Sequence, residues 1–176
     1  MFGDDQAVAD VYATPYLHGP SCFAWVWDEG RGAVGYLVGA EDTRAFQRWF
    51  TEQWWPSRRP RQPRTEADRR LLPSANDPER TLIPQLDAYP AHLHIDLLPE
   101  AQGRGAGRAL IESMAKHLAE RGVPGVHLVA ARDNAAAQHF YPRVGFVPIA
   151  QDAGSVTFGR ALRPESRDTE SEEPSS

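Results

Sequence analysis

The sequence predicts an α/β domain, and three observations carry that prediction. Strand-like runs alternate with helical periodicity over residues 92–149. A glycine-rich turn, Gln102-Gly103-Arg104-Gly105-Ala106-Gly107, stands between one such strand and an amphipathic helix. At 176 residues, with 41% hydrophobic and 24% charged residues, the chain can bury one core, in the manner of an ordinary globular domain.

The elements follow in order. Cys22–Asp28 is aromatic and β-branched, Glu29-Gly30-Arg31-Gly32 reads as a turn, and Ala33–Val38 as the second strand of a hairpin. From Asp42 the period changes. Phe46, Trp49, Phe50 and Trp54 mark one helix face, and Pro56 stops the helix. Trp54 and Trp55 are adjacent, so only one of them is expected to face inward. Ser57–Arg70 carries six arginines against Glu66 and Asp68. It reads as an exposed loop, or as a basic rim for an acidic substrate or for cofactor phosphates. A short helix is expected over 82–86, and Tyr89-Pro90 leads into the next strand.

Along residues 92–98, Leu93, Ile95 and Leu97 point one way and His92, His94 and Asp96 the other. Pro99 ends this strand. A helix over 107–121 buries Leu110, Ile111, Met114 and Leu118, and Gly122 to Gly125 stop it. Val126–Ala130 is another strand. Asp133-Asn134 opens a helix through Phe140 and Tyr141, and Phe146–Ile149 with Val156–Leu162 forms a closing hairpin. Beyond Arg163 the residues are polar and acidic, so 1–163 is expected to be the domain and 164–176 a disordered tail.

Composition excludes several classes. Most of the net charge of −5 lies in the tail, where two arginines face five acidic residues, so no nucleic-acid partner is expected. Cys22 is the sole cysteine, which rules out an internal disulfide and a Cys-based zinc site; the other histidines are scattered, and no metal is expected. No run approaches the roughly 20 apolar residues of a membrane span. The acidic start Met-Phe-Gly-Asp-Asp-Gln is no signal peptide, so a cytoplasmic location is expected.

The glycine turn leaves backbone N–H groups uncovered at the mouth of a helix, a site suited to a phosphate or pyrophosphate. It is not a P-loop, because Gly107 is followed by Arg108-Ala109. It is not a dinucleotide fingerprint either, because the third glycine position holds Arg108.

Together with its surroundings, the turn resembles the acyl-CoA motif of the GNAT acyltransferase superfamily. Leu97-Leu98-Pro99 leads into Gln102, Gly105 and Gly107. The family's next motif is matched by Asn134, Ala137, Phe140-Tyr141 and Gly145-Phe146, so the acyl-CoA core covers about 91–149. A weaker resemblance upstream is to the bacterial acetyltransferases similar to the C-terminal acetyltransferase-like domain of O-GlcNAcase. It rests on Pro15-Tyr16-Leu17, Phe23–Asp28, Gly35–Gly39, the Trp-rich helix and Leu93–Asp96.

The resemblance implies a mixed, mostly antiparallel sheet flanked by helices, lacking the strand and helix with which such domains usually begin. If those are missing, an exposed sheet edge and a homodimer are expected. The implied function is acetyl-CoA-dependent N-acetylation of a small-molecule or protein amine, by direct transfer in a ternary complex. The alternative is a non-catalytic acyl-CoA-binding module. The implied cofactor site comprises Ile95, Asp96, Leu97 and Leu98, Gln102, Gly103, Arg104, Gly105, Ala106, Gly107 and Arg108, with Asn134, Ala137, Phe140 and Tyr141. An N–H near Leu97 would polarise the thioester carbonyl. Tyr141 would be the general acid; otherwise it is a packed tyrosine beside Phe140. Asn134 caps its helix or bonds to pantetheine. Ala91, Leu93 and Val129 stand where relatives often carry a glutamate base, which leaves Asp96 or His94, acting through water, as candidates. Trp54 and Tyr36 are candidates for the acceptor pocket.

Overall fold

The structure, a computed structural model, describes residues 5–30, 32–58 and 66–162. Helix α1 (Asp5–Tyr12) and a 3₁₀ turn (Thr14–Leu17) precede the hairpin of β1 (Cys22–Asp28) and β2 (Ala33–Ala40). Helix α2 (Thr43–Trp49) runs into a π-helical turn (Phe50–Trp54), and α3 (Glu66–Asn76) follows. Then come β3 (Ala91–Leu97), α4 (Ala106–Glu120), β4 (Gly125–Ala131), α5 (Ala135–Arg143), β5 (Val147–Gln151) and β6 (Ser155–Ala161).

The six strands form one sheet in the order β1-β2-β3-β4-β6-β5. Only β3 and β4 run parallel, so the sheet is mixed and mostly antiparallel, as expected. The closing hairpin forms too, with β6 lying inside the sheet between β4 and β5. The β3–β4 seam is short. It holds only the pairs Ala91↔Val126 and His92↔His127, and beyond them the strands part. A fork therefore opens in the middle of the sheet.

The period-2 alternation of β3 assigns its side chains to two cores. Leu93 joins α4, whose Leu110, Ile111, Met114 and Leu118 pack with Val126, Leu128, Phe146 and Phe158. His92 faces the other side, where its ring meets Tyr16 and Phe46 of a second core built by α1, α2 and the π turn. Asp42 caps α2 by accepting from the Ala45 N–H at 3.0 Å, and Thr43 fastens that helix to the start of β3 through the Pro90 carbonyl.

Three local expectations are corrected. Residues 82–86 form no helix: 82 and 83 are irregular and a turn begins at 84, because Pro84 disfavours helical backbone at Ile83. The supposed loop over 57–70 contains the first turn of α3; residues 59–65 and the acidic tail 163–176 lie outside the described residues. Trp54 and Trp55 are both buried, at 5% and 2% exposure. They succeed together because α1 lies on one side of the π turn and α3 on the other. Trp54 Nε1 donates to the Asp10 carbonyl at 2.8 Å, and Trp55 Nε1 donates to Asn76 Oδ1 at 2.9 Å.

Candidate active site

The site is built where β3 leaves its seam with β4. The Leu98 N–H donates to the Val34 carbonyl at 2.9 Å, across to β2. By strand alternation the main-chain groups of Ile95 and Leu97 point the opposite way, into the fork. Those of Leu97 are already engaged. Its N–H donates to Asp96 Oδ1 at 2.9 Å, and its carbonyl accepts from Gln102 Nε2 at 3.0 Å.

A 3₁₀ turn (Pro99–Ala101) then leads into the glycine turn. Gly103 and Gly105 have φ of +71° and +90°, and a Cβ on either would meet nothing within 4 Å. Glycine is required there by the left-handed backbone rather than by packing, and the surface before it is open. The N–H groups of Ala106, Gly107 and Arg108 have no acceptor within α4, whose first closing bond is Ala109 N–H to the Gly105 carbonyl at 3.0 Å. The helix dipole adds positive potential at this end.

Gly107 has a different reason. A Cβ there would stand 3.0 Å from Phe140 Cζ and 3.2 Å from Leu97 Cδ1. It is the point where the end of β3, the start of α4 and α5 meet. The two arginines of the turn are tied to the protein. Arg104 pairs with Glu29 at 2.9 Å, and Arg108 Nη2 donates to the Arg143 carbonyl at 2.9 Å.

Asn134 caps α5, its Oδ1 accepting the Ala137 N–H at 3.0 Å. Ala137, Phe140 and Tyr141 pack on the α4 core. The Tyr141 ring lies against Phe140, Phe146 and Phe158 at centroid distances of 5.4, 5.7 and 5.4 Å. Burial, and secondarily the Asp96 carboxylate, push its phenol up to about 12. Tyr36 stands opposite Asp96 in the β2–β3 register and is also raised, by burial and then by Asp96. Tyr36, Asp96 and Leu98 line a cavity of about 280 Å³. The glycine turn, Tyr141, Asp96 and Tyr36 are therefore grouped around the far end of β3.

Two expected residues do not join that group in the expected way. Trp54 lies in the second core, stacked on His18 and covered by the Arg58 guanidinium 3.3 Å from its ring. His94 does face the fork. Burial first, then Arg80 and His127, push it down to about 3. In the free protein this environment favours the neutral imidazole ring.

His92 is fixed as well. The Thr43 hydroxyl donates to the Pro90 carbonyl at 2.6 Å, so at 2.8 Å it accepts from His92 Nδ1–H. His92 Nε2 then accepts from the Tyr16 hydroxyl at 2.8 Å. Sequence reasoning missed Arg80, which lines the fork beside His94. The available signal was that Arg80 is the only arginine between Arg70 and Arg104.

A profile described as the Acetyltransferase (GNAT) family matches residues 3–146. The chain belongs to the GNAT acetyltransferase family. Its GNAT fold is closely shared with the crystal structure of SsHAT, at TM-score 0.81 and 40% identity over 92% of this chain and 83% of SsHAT. The PaiA N-acetyltransferase from Thermoplasma acidophilum, solved in complex with coenzyme A, shares the fold at TM-score 0.50 and 13% identity, over 80% of this chain and 61% of PaiA. Among curated relatives, the mycothiol acetyltransferase of Nocardia farcinica (strain IFM 10152) is 44% identical over 61 residues, 35% of this chain and 20% of the relative. The GNAT chain thus spans about a fifth of the length of the curated relatives it matches. Acetyl-CoA is the cofactor that goes with this acetyltransferase family.

Proposed function

We propose that this GNAT enzyme transfers an acetyl group from acetyl-CoA directly to a primary amine while both are bound. The observation that carries the reading is Tyr141. It is a phenol kept protonated by burial, next in sequence to Phe140, which packs at Gly107 of the glycine turn, and within the field of Asp96. Acetyl-CoA supplies the activated thioester when bound. Every other requirement falls to the chain.

The residues fit the cofactor. The open space over Gly103 and Gly105, which a Cβ would enter, leaves room for a pyrophosphate against the N–H groups of Gln102 to Arg108. Within the Ile95 to Leu98 segment, the Ile95 main chain faces the fork and is available to an extended pantetheine arm, in the manner of an added strand, and the Leu97 groups join it once Asp96 and Gln102 release them. Ala137 and Phe140 support that edge from α5, and Asn134 acts as the cap of the same helix.

Tyr141 donates its proton to the departing thiolate. Asp96 is exposed and attracts a cationic amine, and it receives the amine's proton directly or through water. Tyr36 forms a wall of the acceptor side beside Asp96. Direct transfer is supported by the state of the only thiol. Cys22 is pushed up to about 12, by burial first, and its Sγ–H points at the Pro20 carbonyl, so it is no nucleophile at neutral pH.

Replacing Tyr141 with Phe should lower turnover by roughly 10²-fold, the low end for a lost general acid, with acetyl-CoA affinity by calorimetry unchanged. Unchanged turnover would remove Tyr141 from this role. One observation favours the second reading, a non-catalytic acyl-CoA-binding module: the Leu97 N–H is held by Asp96 and is not free to polarise a carbonyl. A thiol-release assay with a panel of amines separates the two readings, because the binding module releases none.

A further inference from the structure

One cation in the fork has no part in the chemistry above. Arg80 lines the cavity of about 250 Å³ between β3 and β4, together with Tyr12, Ser74, Thr81, His94 and Val129. Its guanidinium is held from behind, 4.5 Å from the Phe50 ring centroid and 5.8 Å from that of Tyr12. Its Nε and Nη2 are closed to solvent and have no hydrogen-bond partner among the described residues. These two atoms carry the parallel N–H pair along one edge of the guanidinium, the pair that matches the two oxygens of a carboxylate.

Among the described residues, the surroundings do not supply that carboxylate: no described aspartate or glutamate lines the cavity. Asp77, whose field acts on Arg80, is exposed and its Oδ1 accepts the Glu79 N–H. The three histidines of the fork, His92, His94 and His127, are all shifted toward the neutral form, chiefly by burial. His94 Nε2 is also closed to solvent and has no partner. A buried guanidinium without a counter-charge is unfavourable in a folded protein, and burial lowers the Arg80 pKa accordingly. The site has the form of a receptor for an anion.

We propose that the fork holds the carboxylate of the acceptor, paired to Nε–H and Nη2–H of Arg80 with His94 Nε2–H as a third donor, so that the acceptor class is a small amine that carries a carboxylate. This rests on the amine-acetylating reading and adds the substrate class to it. Asp96 lies one pleat further along the same face of β3, about 7 Å from His94. The carboxylate end and the amine end would therefore lie along the strand, with the amine toward Tyr141.

The first test needs no cofactor. Melting curves are recorded for the full chain and for Arg80→Met with millimolar ω-amino acids from glycine to 6-aminohexanoate, the matching alkylamines, and inorganic phosphate. The expected result is a rise of several degrees for the wild-type chain with at least one amino acid, none with its alkylamine, and none for Arg80→Met. The variant alone should melt at the same temperature as wild type or higher, because an unpaired buried charge has been removed. A lower melting temperature for the variant, with no amino-acid effect on either protein, would make Arg80 a structural cation and overturn the proposal. A shift with phosphate alone would overturn the carboxylate assignment.

Turnover then separates this proposal from the reading beneath it. The preference in kcat/KM for the amino acid over its alkylamine should be about 100-fold and collapse toward unity in Arg80→Met. Acetylation of both amines without preference defeats the carboxylate site and leaves the acetyltransferase intact. Arg80-dependent binding without acetylation of any amine does the reverse.

Discussion

At the scale of single residues, Tyr141 and the turn glycines make separable predictions. The Tyr141 phenol stands near 12 when folded, against about 10 for a free tyrosine. A raised pKa contributes stability that is whole below about pH 10 and is lost as pH rises through about 12. Tyr141→Phe should therefore flatten the alkaline limb of a melting-temperature profile, independently of any effect on turnover. Gly105→Ala meets only open space, so its cost is the left-handed backbone, about 1–2 kcal/mol, and acetyl-CoA affinity should fall more than stability does. Gly107→Leu must displace Phe140 and Leu97, so stability should drop by about 1–3 kcal/mol in denaturant titrations. The chain shows which glycines matter, because they sit in a spaced motif. It does not show that two of them serve an open surface and the third a crowded junction, since that depends on Phe140 arriving from α5. The depressed pKa of His94 was equally invisible. Burial beside Arg80 sets it, and the two residues are brought together only by the fold.

At the scale of elements, the strands were legible because alternation and bounding turns are local signals. Cys22–Asp28 and the face assignment of Leu93 against His92 hold as read. α3 was not legible. Pro73 lies within it, its mean hydropathy is low, and its buried contacts reduce to residues such as Leu71 and Ala75. Without α3, the second wall around the tryptophans is not readable from the sequence. The interlock makes a prediction of its own. Asn76→Ala leaves the buried Trp55 indole N–H without a partner and should lower stability by about 1–3 kcal/mol. Trp55→Ala should cost about 3–5 kcal/mol. Both are measurable by chemical denaturation, and neither should shift the preference among acceptors.

At the scale of the whole molecule, the fork gathers imidazoles that the fold keeps neutral. His92, His94 and His127 all have depressed pKa values, chiefly through burial. The unfolded chain takes up protons at these positions near pH 6.5, and the folded chain does so only at lower pH. Their contribution is present above about pH 6.5 and is lost as pH falls toward the folded values. The melting temperature should therefore decline from pH 6.5 down to pH 4, and His94→Leu should make that decline shallower. The overall architecture was legible from two motifs in sequence order, because each marks one side of the cofactor groove. The acceptor side was not, because Tyr12, Arg80 and His94 come from three separate stretches with no shared spacing.

The short seam between β3 and β4 has a consequence for cooperativity. Two residue pairs join a three-stranded half, β1-β2-β3, to another, β4-β6-β5. What clasps the halves is α4, whose core includes Leu37 and Leu93 from one and Leu128 and Phe158 from the other. In native-state hydrogen exchange the free protein should open as two units of different free energy, coupled through that helix. A ligand seated in the fork acts as a rivet. With acetyl-CoA bound, the two exchange classes should merge into one, and Met114→Ala should pull them apart again.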